Sequence, residues 1–181
     1  MIYLFLADGF EECEALAPLD ILRRAGIEVK TVGIGKKYVT GSHGIEVTAD
    51  ISENEVSLDN NLIGIILPGG MPGTLNLENN MTVQKAIDFA AEKGLLISAI
   101  CAAPSILGHK GLLKNKKATC FNGFENDLEG AVVTEFPVVN DGNIITAYGA
   151  GAAFDFGFEI LAYIKNSDTA ETLKKQMRYI K

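Results

Sequence analysis

The chain has 181 residues, 48% hydrophobic and 22% charged, a balance that suits one α/β domain spanning 1–181 and excludes disordered or fibrous classes. Its 23 acidic and 16 basic residues leave a net charge of −7, which repels phosphate backbones and anionic lipid, so neither nucleic acid nor a membrane is expected as a partner. No apolar run approaches the roughly 20 residues a bilayer requires.

In chain order, "IYLFLA" (2–7) predicts a strand and Glu12 to Ala25 a helix, with Gly26 where a helix C′ residue belongs. The strand "IEVKTVGI" (27–34) follows, so the chain opens on a βαβ unit. "MIYLFLAD" lacks a basic flank and a small-residue cleavage site and does not read as a signal peptide. "KKYVTGSHGIEVTAD" predicts a small β-hairpin excursion around Gly-Ser-His-Gly.

"NLIGIILPGG" (61–70) reads as a central parallel strand buried on both faces. A helix over Met81 to Glu92, closed by Gly94, leads to a second buried strand, "LLISAI" (95–100), and a helix from Ala102 to His109. "AVVTEFPVV" and "NIITA" flank Asn140-Asp141-Gly142, a hairpin signal. Helices over Ala150 to Ile164 and Asp168 to Tyr179 finish the chain. The pattern predicts a doubly wound, mostly parallel sheet sandwiched by helices, whose ligands bind beyond the carboxyl ends of the strands.

Three loops at those ends carry unusual residues: "DGFEECE", "LPGGMPG" and "ICAAPS". Cys101 falls on a strand-to-helix corner with small neighbours, the setting of a nucleophile elbow. A helix N-terminus there favours thiolate, so a lowered pKa is expected. An inert buried cysteine is the alternative, and spacing alone does not choose. Gly69 and Gly70 let the backbone approach a ligand, and the N–H groups of Gly70 and Ala102 could form an oxyanion hole, although Pro-Gly-Gly is more commonly a plain turn. Of Glu11, Glu12 and Glu14, all stabilised by a helix dipole, one could lean toward Cys101 as acid or base. His109 reads as a helix-end cation, and His43 as a solvated loop residue or a site-edge group. Cys13, Cys101 and Cys120, without CxxC spacing, suit free thiols in a reducing, cytoplasmic compartment better than a disulfide framework or zinc site.

Read together, "DGFEECEA", "ILPGGMPG" and "ISAICAAPSIL" resemble the DJ-1/ThiJ/PfpI family, and the DJ-1 subgroup in length and in "GFEECEA". "GSHGIEVTAD" and "GNIITAYGAGAAFDFGFEIL" extend the resemblance nearly end to end. It implies a flavodoxin-like homodimer with Cys101 as a nucleophilic, oxidisable cysteine and Glu14 as its hydrogen-bond partner. Gly70 and Ala102 become the backbone donors, and Cys13 lies near the dimer axis. Many family members place a histidine where this chain has Cys120 and Phe121, so no Cys/His dyad forms at that position. An anion-binding arginine of DJ-1 is Tyr148 here, and its companion in the hairpin is His43.

The chemistry so implied is addition of a Cys101 thiolate to a small aldehyde, as in a glyoxalase III-type conversion of methylglyoxal to lactate, with Glu14 moving protons and no metal or organic cofactor required. The alternative is an oxidative-stress sensor whose Cys101 climbs to sulfinic acid. A PfpI-like protease or amidase is weaker, since it needs a base that only His43 of a neighbouring subunit could supply.

Overall fold

Side chains alternate across the first strand, β1 (Ile2–Leu6): Ile2, Leu4 and Leu6 enter one apolar layer, Tyr3 and Phe5 another. A strand buried on both sides needs cover on both faces, and the computed structural model, which describes residues 1–179, provides it with helices. β1 leads to α1 (Glu12–Arg24), β2 (Val29–Gly33), the antiparallel hairpin β3 (Tyr38–Thr40) and β4 (Glu46–Thr48), and the short β5 (Ile51–Ser52). There follow β6 (Gly64–Leu67), α2 (Gly73–Glu78), α3 (Met81–Lys93), β7 (Leu96–Ile100) and α4 (Pro104–His109). β8 (Lys117–Ala118) pairs with β9 (Val132–Val133), β10 (Val138–Asp141) turns back as β11 (Ile144–Ala147), and α5 (Ala153–Ile164) and α6 (Ser167–Gln176) complete the order.

The main sheet runs β10-β11-β7-β6-β1-β2-β5, and every neighbouring pair is parallel except β10 with β11. α1, α5 and α6 cover the face that holds Leu4 and Ile66, while α3 and α4 cover the face that holds Phe5 and Ile65. From β1 the chain moves to β2 on one side and comes back at β6 on the other. The switch in strand order therefore lies between β1 and β6, and a crevice opens at their carboxyl ends.

The expected doubly wound sheet and the small hairpin are both present. Gly94 ends α3 in the left-handed conformation. Three expectations are corrected. The helix after Cys101 begins at Pro104, which as a first-turn proline gives up no helical hydrogen bond, and the intervening residues form tight turns through Ala103 N–H to Ile100 and Ser105 N–H to Ala102. "AVVTEFPVV" is not one strand: Val132 and Thr134 bond to Lys116 and Ala118, and the hairpin partner of β11 starts only after Pro137. The stretch from Ala150 opens as a 3-10 turn before α5 begins.

Candidate active site

The loops after β1, β6 and β7 meet at the switch in strand order, and each brings one part of the site. Cys101, first residue after β7, has φ of 66°, a conformation a side chain adopts only at a cost of about 1–3 kcal/mol. Its N–H donates to the Ala147 carbonyl and its own carbonyl accepts from Phe121 N–H, both at 2.8 Å. Bonds on both sides thus hold the elbow in its strained form, with the thiol half-buried.

Glu14 enters from the first turn of α1. Glu11 caps that helix by accepting from Glu14 N–H at 2.7 Å, which fixes the turn and aims Glu14 inward. The Glu14 side chain is 1% exposed and accepts from Gly69 N–H at 2.9 Å and from Ala150 N–H. It also shares a hydrogen bond with the Cys101 sulfur, which the N–H groups of Gly70 and Ala102 approach as donors.

Glycine at 69 and 70 is a steric requirement. A Cβ on Gly69 would lie 2.6 Å from both Cys101 Cβ and Glu14 Oε2, inside the space the bonded pair occupies. Gly70 has φ of 89°, and a Cβ there would strike the Glu11 amide.

Burial pushes the Glu14 carboxyl up to about 7, and the Glu11 charge adds to it. Burial also pushes the Cys101 thiol up to about 12, reinforced by the charge and hydrogen bond of Glu14, with the Gly70 and Ala102 N–H groups pulling the other way. The expected thiolate is therefore corrected. α4 is six residues long and starts three positions after the sulfur, and two backbone donors do not offset desolvation plus an adjacent carboxylate. The pair rests as a thiol beside a carboxyl that ionises near neutrality. Such an arrangement lets Glu14 take the thiol proton at the moment sulfur attacks.

His43 does not join this group. Its Nδ1 lies 2.8 Å from Glu12 Oε2 and 3.9 Å from Glu11 Oε1, and the Glu12 bond raises its pKa. Glu12 also accepts from the N–H groups of His43 (2.8 Å) and Ile45 (3.4 Å) and from Ser42 Oγ (3.5 Å). One ligand atom each of Glu11, Glu12 and His43 lie within 4.8 Å of one another. Those bonds account for the cluster as the anchor of the β3–β4 hairpin on α1. His109 sits 2.6 Å from Glu78 and ties α4 to α2, away from the elbow.

Tyr148 lines a cleft of about 610 Å³ with Cys120, Phe121 and Val133. Cys101 is linked to its wall through Phe121 N–H, and Tyr148 follows the residue whose carbonyl holds Cys101 N–H.

The DJ-1/PfpI family model matches residues 1–163. The chain belongs to the DJ-1/PfpI family. Among curated DJ-1/PfpI relatives, protein dj-1beta of Drosophila melanogaster is 32% identical over 175 residues, covering 95% of this chain and 93% of that protein. The Parkinson disease protein 7 homolog of Danio rerio is 32% identical, with coverage of 94% and 93%. A crystal structure of a DJ-1 superfamily protein from Salmonella typhimurium superposes with a TM-score of 0.92 at 32% identity, covering 99% of this chain and 98% of that one. Toxoplasma gondii DJ-1 in an oxidized form gives 0.90 at 30% identity, with the same coverage. The flavodoxin-like α/β fold of this DJ-1/PfpI protein follows from these likenesses and from its own sheet.

Ala150, whose N–H reaches Glu14 from the turn before α5, is a site residue not expected from the sequence, and Glu11, one of the three candidate acids, acts on Glu14 through its charge and its cap and not on Cys101. The small-residue run "YGAGAAF" is the signal that marks the first, since only short side chains let that turn approach a buried carboxylate.

Proposed function

We propose that this protein is a cofactor-independent enzyme acting on small reactive carbonyls, converting a 2-oxoaldehyde and water to a 2-hydroxy acid as methylglyoxal goes to lactate. The observation that carries the reading is the shared hydrogen bond of Glu14 and Cys101 at a positive-φ elbow faced by two backbone N–H donors. The Cys101 sulfur attacks the aldehyde carbon and a C–S bond forms. Its proton passes to the Glu14 carboxylate, and the carbonyl electron pair moves onto oxygen, where Gly70 and Ala102 N–H groups receive the charge. Glu14 returns that proton to the oxyanion to give the hemithioacetal and, again a carboxylate, takes the C–H proton of the former aldehyde carbon while the hydroxyl proton moves to the ketone oxygen. Glu14 then delivers its proton to the neighbouring carbon as the enediolate collapses. This leaves a thioester of the hydroxy acid; water cleaves its C–S bond and returns the thiol. The protein acts as a cytoplasmic homodimer of one domain, 1–181, with no nucleic-acid or membrane partner. Among the described residues no helix is long and apolar enough to cross a membrane.

The test is consumption of methylglyoxal by purified protein without glutathione, with lactate as product. Cys101→Ala is expected to abolish it, and wild-type turnover no greater than that of the variant would falsify the reading. A second reading, a stress-response role in which Cys101 becomes sulfinic acid, draws on the similar structure of Toxoplasma gondii DJ-1 in an oxidized form. The same two N–H groups and a protonated Glu14 would hold sulfinate oxygens. Mass spectrometry after peroxide treatment is expected to place two oxygens on Cys101 before Cys13 or Cys120.

A further inference from the structure

The cleft whose wall is bonded to the elbow is larger than methylglyoxal needs. Methylglyoxal offers it one methyl group, whereas about 610 Å³ lies between Phe121, Tyr148, Val133 and Cys120. Phe121 and Val133 are 51% and 41% exposed, although both are large apolar side chains. Aromatic rings that stay wet beside a reactive group gain most from a flat apolar ligand laid between them.

Charge narrows the choice. Glu125 and Glu135 stand in the same wall, and among the described residues no lysine, arginine or histidine lines it. The charges that act on the two neighbouring thiols are carboxylates as well: Glu14 on Cys101, and Glu125 and Asp127 on Cys120. A ligand carboxylate brought here meets like charge and no compensating cation.

We infer that the cleft of Phe121, Tyr148 and Val133 takes the non-reacting end of a neutral aryl 2-oxoaldehyde and rejects carbonyl compounds that carry a carboxylate. This rests on the proposed carbonyl chemistry for the reacting end only. In this arrangement the aryl group lies on Phe121 and Tyr148 and the aldehyde points to the elbow, whose Cys101 carbonyl is bonded to the Phe121 N–H of the cleft wall.

The experiment compares kcat/KM of the wild type for methylglyoxal, phenylglyoxal and 4-carboxyphenylglyoxal. Phenylglyoxal is expected to exceed methylglyoxal by about 10-fold or more, and the added carboxylate to remove that gain. Phe121→Ala is expected to lose the phenyl preference through KM. Glu125→Gln/Glu135→Gln is expected to recover part of the 4-carboxyphenylglyoxal rate. Equal rates for the phenyl and carboxyphenyl substrates, or a phenyl preference untouched in Phe121→Ala, overturn the inference. If wild type consumes no 2-oxoaldehyde faster than Cys101→Ala does, the proposed activity fails and the cleft is decided by binding alone. Titration of Cys101→Ala with acetophenone and with benzoate, followed by the ring resonances of Phe121 and Tyr148, then supports the inference if only acetophenone gives a saturable shift. It overturns the inference if acetophenone gives none or benzoate matches it.

Discussion

Glu14 acts on Cys101 in two opposed ways. Burial pushes the thiol up to about 12 and the negative charge and hydrogen bond of Glu14 add to it, while the same carboxylate is the group placed to receive the thiol proton. Replacing it separates the two. In Glu14→Gln the carboxylate no longer opposes ionisation, so alkylation of Cys101 by iodoacetamide at pH 8 is expected to become faster than in wild type. Methylglyoxal turnover is expected to fall by about 100-fold or more, the usual loss when a positioned general base is removed. A variant that gains or loses both properties together would mean that Glu14 does not serve as the base. The pH profile carries a matching signature: Glu14 must be ionised to accept a proton, so wild-type kcat/KM rises with pH and levels off above about 7. That inflection is absent from the residual activity of Glu14→Gln.

Among the elements, the β3–β4 hairpin is held on the loop after β1 by Asp8, Gly9 and Phe10, and on α1 by a single side chain. Glu12, on α1, is 4% exposed and receives the Ser42 hydroxyl and the amides of His43 and Ile45. In Glu12→Ala these donors turn to water, and amide hydrogen exchange at His43 and Ile45 is expected to quicken by about 10-fold, a loss of roughly 1.4 kcal/mol of local stability. Unchanged exchange would show that strand pairing and the bonds to Asp8, Gly9 and Phe10 hold the hairpin without Glu12. Here the limits of reading a sequence are visible in particular residues. Strands such as "LFL" and "GIIL", buried on both faces, announce themselves as apolar runs, and Gly94 marks the end of α3. The short α2, β5 and β8 have no such signal, because two to six residues do not complete a period. The elbow was legible because Cys101 stands between a buried run and Pro104. The direction of its pKa was not, because it depends on how deeply Glu14 is buried and on which carboxylates converge, and these are products of the tertiary fold.

At the scale of the whole molecule, Glu14 is buried at the carboxyl ends of the central strands, so its ionisation acts on the stability of the folded chain. The Glu14 carboxyl is held at about 7 in the folded protein against 4.5 in the unfolded chain. Between those values the folded state binds more protons than the unfolded state, so stability falls as pH rises. The contribution is fully present below about 4.5 and is lost as pH passes through about 7. The span of 2.5 pH units corresponds to at most about 3.4 kcal/mol, or roughly 7–14 °C in melting temperature for a domain of this size. Glu14→Gln stays neutral throughout and lacks this slope. Subtracting its melting curve from that of wild type at each pH from 4.5 to 8 cancels the other titrating groups, and stopping at 8 keeps the Cys101 thiol protonated. The difference is expected to move steadily against wild type across the interval; a flat difference would mean that Glu14 ionises in the folded state as readily as in the unfolded one. The same burial that makes the carboxylate a base near neutrality thus costs the fold stability over the pH range where that base is active.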